Sequence, residues 1–361
     1  MEELEHKILL NPGPATTTKS VKEALVVNDI CPREQEFGSL LKSIADGLID
    51  IGKGGSDYHV SLFTASGTGA MEAMLTSAIG KSEKVLIITN GAYGFRMEAI
   101  CKAFDLSYGT MCGFGEYPNA EKIDDALKAG SFTHLAMIHH ETSTGMMNPL
   151  EEVSEVCKKH DVKFMVDAMS SFGGYPIKLE ESGIHYLVAS SNKCIHGMAG
   201  LSFVIFHESC KKELAENSSG YYFDVLAQWE NMTKKSQTRF TPPVQVCYAF
   251  KKAIDETLKE TVDARWVRYQ ENWQILHDGF KDLGFQFFLP EEQESKILLA
   301  IKPGQKLPNG FDHFHDYLFE RNITVYPGVI PESNTFRVAV IGELYPDDMD
   351  YVISVIKEYF S

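Results

Sequence analysis

Five short apolar runs punctuate the middle of the chain: VLIIT over 85–89, LAMIH over 135–139, FMVDA over 164–168, YLVAS over 186–190 and SFVIF over 202–206. They alternate with stretches of helical periodicity, the pattern of an α/β sheet. One intervening stretch, PLEEVSEVCKKH over 149–160, predicts a crossover helix with Pro149 at its first position. Acids come early in it and bases late, and Leu150, Val153, Val156 and Cys157 share one face. From about Pro242 to Leu283 the patterning becomes long, charged and helical, and strand and helix candidates then resume with KILLAIKP and DHFHDYLFERNITVYPG. Glycine and proline cluster in NPGP over 11–14, an irregular entry. The division expected is an N-terminal arm over 1–20, a large α/β domain over 21–255 and a smaller C-terminal domain over 256–361.

At 361 residues and 44% hydrophobic, the chain is long enough for a full core. No window approaches the roughly 18 uninterrupted apolar residues of a membrane helix, and MEELEHKILL lacks a basic stretch followed by an apolar signal core. A cytoplasmic protein without membrane partners is expected. Seven cysteines without a CxxC pair fit reduced thiols better than a disulfide framework or a zinc site. The net charge of −16 disfavours nucleic acid as a partner, so any anionic ligand requires a local pocket.

Asp167 lies near the carboxyl end of a buried strand, and Lys193, in SSNKCIHG, follows the YLVAS strand. Ligands of open α/β sheets bind at that end. An amine and a carboxylate there suit pyridoxal phosphate, the lysine bonding to its carbonyl carbon and the acid keeping the pyridine nitrogen protonated. They suit a strand-end salt bridge as well. FTASGTGAMEAMLTSAIG over 63–80 is a glycine-rich turn entering a helix, whose open amides and the hydroxyls of Ser66 and Thr68 fit either a phosphate or an ordinary turn. The GxxxxGK[ST] of a nucleotide loop is missing. In GAYG over 91–94, Tyr93 follows a strand and can stack on a planar ring or pack in the core. The adjacent histidines of HHETSTG over 139–145 point in different directions and do not make a metal site, whereas Ser143 and Thr144 read as donors to a ligand or as turn residues.

Taken in order, SGTGA, NGAYG, HHETSTG, VDAMSSFGG, SSNKCIHG, RFTPP and FRVAVIG resemble the class V aminotransferases of the fold-type I pyridoxal-phosphate superfamily, with a likeness running from NPGP to FRVAVIG. The resemblance implies a large, mainly parallel-sheet α/β domain with a smaller α+β domain, pyridoxal 5'-phosphate as cofactor, and a homodimer with shared active sites. It implies transfer of the amino group of 2-aminoethylphosphonate to pyruvate in phosphonate catabolism. Alanine:glyoxylate or serine:pyruvate transamination is the alternative in the same frame, and a non-catalytic binding protein the distant one. Carried over by residue, Lys193 holds the cofactor, Asp167 partners its pyridine nitrogen, and Ser66, Gly67 and Thr68 form the phosphate loop. Tyr93 stacks over the ring, Ser143 lies near the ring hydroxyl, and Thr241 reaches the cofactor phosphate of the neighbouring subunit. Arg337 takes the acidic end of the substrate, with Arg33 of CPREQEF as a second cation for a dianionic phosphonate.

Overall fold

The five apolar runs all become strands, but the sheet they form has seven. In the computed structural model, which describes residues 5–304, 307, 309–326 and 329–361, these are β1 Tyr58–Phe63, β2 Val85–Ile88, β3 Tyr108–Met111, β4 His134–Ile138, β5 Lys163–Asp167, β6 Ile184–Ser190 and β7 Ser202–His207. Their order across the sheet is β1-β7-β6-β5-β4-β2-β3, and β7 alone runs against its neighbours. β2 and β4 are buried along their whole length because helices cover both faces. Strand β3, at one edge, is only partly covered, so YGTM needs no apolar run.

Successive residues of one strand feed opposite layers, as a pleated strand requires. Leu86 and Ile88 belong to the core on one face of the sheet, which also holds Phe37, Leu41 and Ile44 of helix α1 Gln35–Ile51 and Phe250 and Ile254 further along, whereas Val85 and Ile87 belong to the core on the other face, with Met71, Met74 and Leu75 of α2 Gly67–Ala78 and Met97 of α3 Ala92–Ala103. The crossover helix α4 Leu150–Lys159 buries Leu150, Val153 and Cys157 as expected. Pro149 stands one position earlier than predicted, as the residue preceding the helix, and Val156 is only half-buried.

Helix α6 Val244–Glu260 ends at Thr261, whose φ of 70° breaks the axis before α7 Val262–Asp282. Along α7 the packing partners change. Tyr269, Trp273, Leu276 and Phe280 enter a second core with Leu299, Ile301, Phe336 and Val338, which belong to an antiparallel sheet of β8 Gln286–Phe287, β9 Leu298–Lys302 and β10 Phe336–Ala339, and with Met349, Val352 and Ile356 of α8 Pro346–Tyr359. The N-terminal segment joins this second core: Ile8–Leu9 pairs in parallel with Ile323–Thr324, and Leu10 and Ala15 are buried. No helix among the described residues is long and apolar enough to cross a membrane.

At the amino-terminal edge of the sheet, Glu213 of α5 Lys211–Asn217 receives Lys163 from β5 and the Tyr186 hydroxyl from β6, with His134 of β4 at 3.6 Å. Burial alone raises its carboxyl, but the nearby His134 and the bonds from Lys163 and Tyr186 outweigh burial and hold it at about 2, below the ordinary 4.5. A carboxyl depressed on folding stabilises above its unfolded pKa and loses that contribution as pH falls through the folded one. Glu213→Gln is therefore expected to cost about 1.5–3 kcal/mol at pH 7. The gap to wild type should close between about pH 5 and pH 2 in urea titrations; a gap independent of pH would contradict this role.

Candidate active site

Parallel register brings three strand ends together. Ile138 opposes Asp167 and Asp167 opposes Val188, so the segments leaving β4, β5 and β6 emerge side by side. After Ser190 the chain turns tightly, with Ser191 N donating to Leu201 O at 3.1 Å and Gly197 N to Ser191 O at 2.7 Å, and Lys193 projects from this turn. Its Nζ donates to the Pro12 carbonyl at 2.6 Å. The NPGP arm therefore lies directly on the lysine, where a Cβ at Gly13 would meet Lys193 Cδ at 2.3 Å. Gly13 also has φ +122°, so only glycine fits there. Enclosure lowers the amine to about 8; Arg337 and Arg96 press in the same direction, while Cys194 and Asp167 oppose them.

Asp167 is buried, and its Oδ1 accepts from Met169 N at 2.8 Å. Its other oxygen has no hydrogen-bond partner among the described residues. Burial lifts this carboxyl to about 7, the Met169 amide pulling it back and the charge of Glu141 adding to the rise. Asp167 and Lys193 form no ion pair, which removes the strand-end salt bridge as an account of the two.

Both residues line a cavity of about 320 Å³, together with Ser66, Gly67, Thr68 and Tyr93. Ser66 precedes α2 and its side chain makes no cap bond, leaving the hydroxyl and the first amides of the helix available. A Cβ at Gly67 would lie 2.3 Å from Met169 Sδ, so the loop sits close against the residue that follows the Asp167 strand. Amine, free carboxylate oxygen, helix start with two hydroxyls, and aromatic ring are the groups needed by a ligand that combines a carbonyl, a basic ring nitrogen and a phosphate.

Four of the site residues expected from the sequence, Ser143, Arg33, Thr241 and Arg337, do not line this cavity. Ser143 does not line the cavity; its hydroxyl donates to Glu141 at 2.5 Å and accepts from Ala92 N at 2.9 Å. Arg33 is exposed, and its Nη1 donates to Thr238 O at 2.7 Å and Gln237 Oε1 at 3.2 Å. Thr241, three residues beyond Thr238, is exposed as well. Arg337, on β10, is half-buried with its guanidinium 4.6 Å from the Tyr326 ring centre, near enough to act on the Lys193 amine, and has no acidic partner among the described residues. Two ionisable residues of the cavity lining are not among the candidates read from the sequence. Arg96 lies over the Tyr93 ring at 4.7 Å and donates to Thr68 Oγ1 at 3.1 Å; its signal was the i, i+3 spacing from Tyr93. His140 is buried, its Nδ1 donating to Ser170 O at 3.0 Å and its Nε2 unpartnered, and burial lowers it to about 4. Its neighbour His139 hides it in the sequence.

The sequence profile of the Aminotransferase class-V family matches residues 28–328. A 2-aminoethylphosphonate–pyruvate transaminase of Phocaeicola vulgatus is 38% identical over 358 residues, spanning 97% of this chain and 98% of that protein. A bifunctional phosphonoacetaldehyde hydrolase/aminoethylphosphonate transaminase of Clostridioides difficile is 36% identical, over 98% of this chain and 56% of that protein. The crystal structure of an alanine–glyoxylate aminotransferase from Nostoc sp. superposes with a TM-score of 0.90 at 25% identity, covering 99% of this chain and 96% of that one. With its lysine, carboxylate and helix start converging at the carboxyl ends of a mainly parallel sheet, the chain belongs to the class-V aminotransferase family, which uses pyridoxal 5'-phosphate.

Proposed function

We propose that the cavity at the ends of β4, β5 and β6 holds pyridoxal 5'-phosphate and that the protein transfers the amino group of 2-aminoethylphosphonate to pyruvate, giving phosphonoacetaldehyde and L-alanine. The observation that carries the cofactor reading is an enclosed amine and a buried carboxylate facing one cavity without pairing to each other. The donor comes from the two relatives named for it. When bound, the cofactor supplies a carbonyl carbon for amine exchange and a ring that accepts electrons.

The protein's own groups divide the remaining work. Lys193 Nζ, held near neutrality by enclosure, is the nucleophile that anchors the cofactor. The same nitrogen, when not bonded to the cofactor, would take the proton from the amine-bearing carbon of the donor, with the Pro12 carbonyl to orient it. The free oxygen of Asp167 would accept a hydrogen bond from the protonated ring nitrogen and so keep the proton on the ring. Ser66, Gly67 and Thr68 would receive the phosphate and Tyr93 would cover the ring, while Arg337, outside that lining, would present its planar fork to the phosphonate.

We further propose that the change of core along α7 separates a large cofactor-binding unit, about 21–255, from a smaller unit over 256–361. Two copies are proposed to share sites, Thr241 of one reaching the cofactor phosphate of the other. What supports sharing is that Thr241 does not line its own cavity and has an uncovered patch beside it: Tyr221 is 81% exposed, Tyr222 stacks on Phe240, and Arg239 lies over both Tyr221 and Phe240. Arg33, bonded to the same loop and absent from this chain's cavity lining, would meet a phosphonate from such a neighbour.

For the donor, kcat/KM in wild type should be highest for 2-aminoethylphosphonate with pyruvate. Arg337→Lys, which keeps the charge and loses the paired geometry, should cost about 1–3 kcal/mol for that donor and less for alanine or serine. Preference of wild type for alanine or serine with glyoxylate would replace this donor by the alternative. For sharing, mixing inactive Lys193→Ala and Thr241→Glu proteins should restore about a quarter of wild-type activity, since half the dimers carry one intact site. No recovery from dimers shown to exchange subunits would refute it.

A further inference from the structure

Helix α3 begins after Gly91, a residue with no side chain to cap it, yet its first three amides are all bonded. Ala92 N donates to Ser143 Oγ at 2.9 Å, and Tyr93 N and Gly94 N donate to Glu141 Oε2 at 3.0 and 3.2 Å. The other carboxylate oxygen, Oε1, accepts from Ser143 N at 3.1 Å and from its hydroxyl. Glu141 is fully buried on the short hairpin that pairs His140–Glu141 with Met146–Met147. Burial raises its carboxyl, with the four bonds opposing. Four donors and no acceptor face it, so the ionised form is the one that satisfies every neighbour. Its negative charge sits at the positive end of the helix. The fit is close, because a Cβ at Gly91 would lie 2.2 Å from Glu141 Cγ.

We propose that Glu141 is a positioning residue of the cofactor site, which caps α3 from 48 residues away and thereby fixes Tyr93 and Arg96 on the cavity wall. Glu141 does not itself line the cavity, so it acts through the helix it holds. What Tyr93 and Arg96 are held against rests on the cofactor reading above. Both project from the first turn and a half of α3, where a lost cap frees the backbone first. The same carboxylate adds to the rise of Asp167, which ties this wall to the opposite one electrostatically. The glutamate of HHETSTG thus has a task distinct from ligand contact, and Ser143 shares it.

Two variants test this. Glu141→Gln keeps the shape but must turn an NH2 group toward donors. Gly91→Ala leaves every hydrogen-bonding group in place and adds one methyl against Glu141; its φ of −172° is open to any residue, so no backbone strain is introduced. In the cofactor-free protein, amide hydrogen exchange at 92–94 should quicken about tenfold or more in both, while β4, β5 and β6 keep wild-type protection. In the loaded protein, pyridoxal phosphate should bind about tenfold or more weakly, and its visible circular dichroism, which reports how the ring is held, should change. Wild-type exchange at 92–94 would overturn the cap. Faster exchange there with unchanged affinity and dichroism would overturn the positioning role. If Glu141→Gln does not fold, Gly91→Ala carries the same comparison. Failure of wild type to bind pyridoxal phosphate would instead strike the cofactor reading, and the exchange experiment would still decide the cap.

Discussion

An amine and a carboxylate placed at adjoining strand ends and withdrawn from water attract each other strongly, and the site depends on their not meeting. The structure separates them by giving each a backbone partner: the Pro12 carbonyl takes the Lys193 amine, and the Met169 amide takes one oxygen of Asp167. Neither bond neutralises a charge. Enclosure therefore shifts both groups toward neutrality, the amine to about 8 and the acid to about 7, which leaves each able to exchange a proton near physiological pH. A direct salt bridge would have moved both pKa values the other way and left two inert ions.

Most of the surrounding architecture serves that separation. The N-terminal segment is anchored in the second core through Ile8, Leu10 and the Thr16 to Gly342 bridge, so the loop bearing Pro12 cannot drift from the lysine. From below, His196, Tyr269 and Gly342 N form a buried cluster linking the turn after Lys193 to α7, and Arg265 donates to Cys194 O at 2.6 Å. The lysine is thus held between two cores, and Arg337 arrives from the second one. An acidic chain of net charge −16 keeps Arg96 and Arg337 without acidic partners among the described residues, which leaves their charge for a ligand.

Much of this is legible in the sequence. Strands buried on both faces announce themselves as apolar runs, and Lys193, Asp167, Ser66, Gly67, Thr68 and Tyr93 were all read as site candidates and line one cavity. Edge strands β1 and β3 were not legible, because His59 and Ser61 interrupt one and the other is half-covered. Nor was the anchoring of the arm, since Ile8 pairs with Ile323 across almost the whole chain. Ser143 reads as a ligand contact because its motif ends a strand; the partner the structure gives it, the first turn of α3, is a tertiary neighbour that local pattern cannot reveal. Nor was the setting of Arg33 legible, its guanidinium being held by a loop some two hundred residues later.

The central claim is that the enclosed amine of Lys193 is the group that bonds to the cofactor. Loading the protein with pyridoxal 5'-phosphate, reducing with borohydride and mapping the labelled peptide tests it directly. One equivalent of label in the peptide spanning residues 190–197, on Lys193, is the result predicted; label on any other lysine, or a loaded protein that borohydride leaves unlabelled, would contradict it.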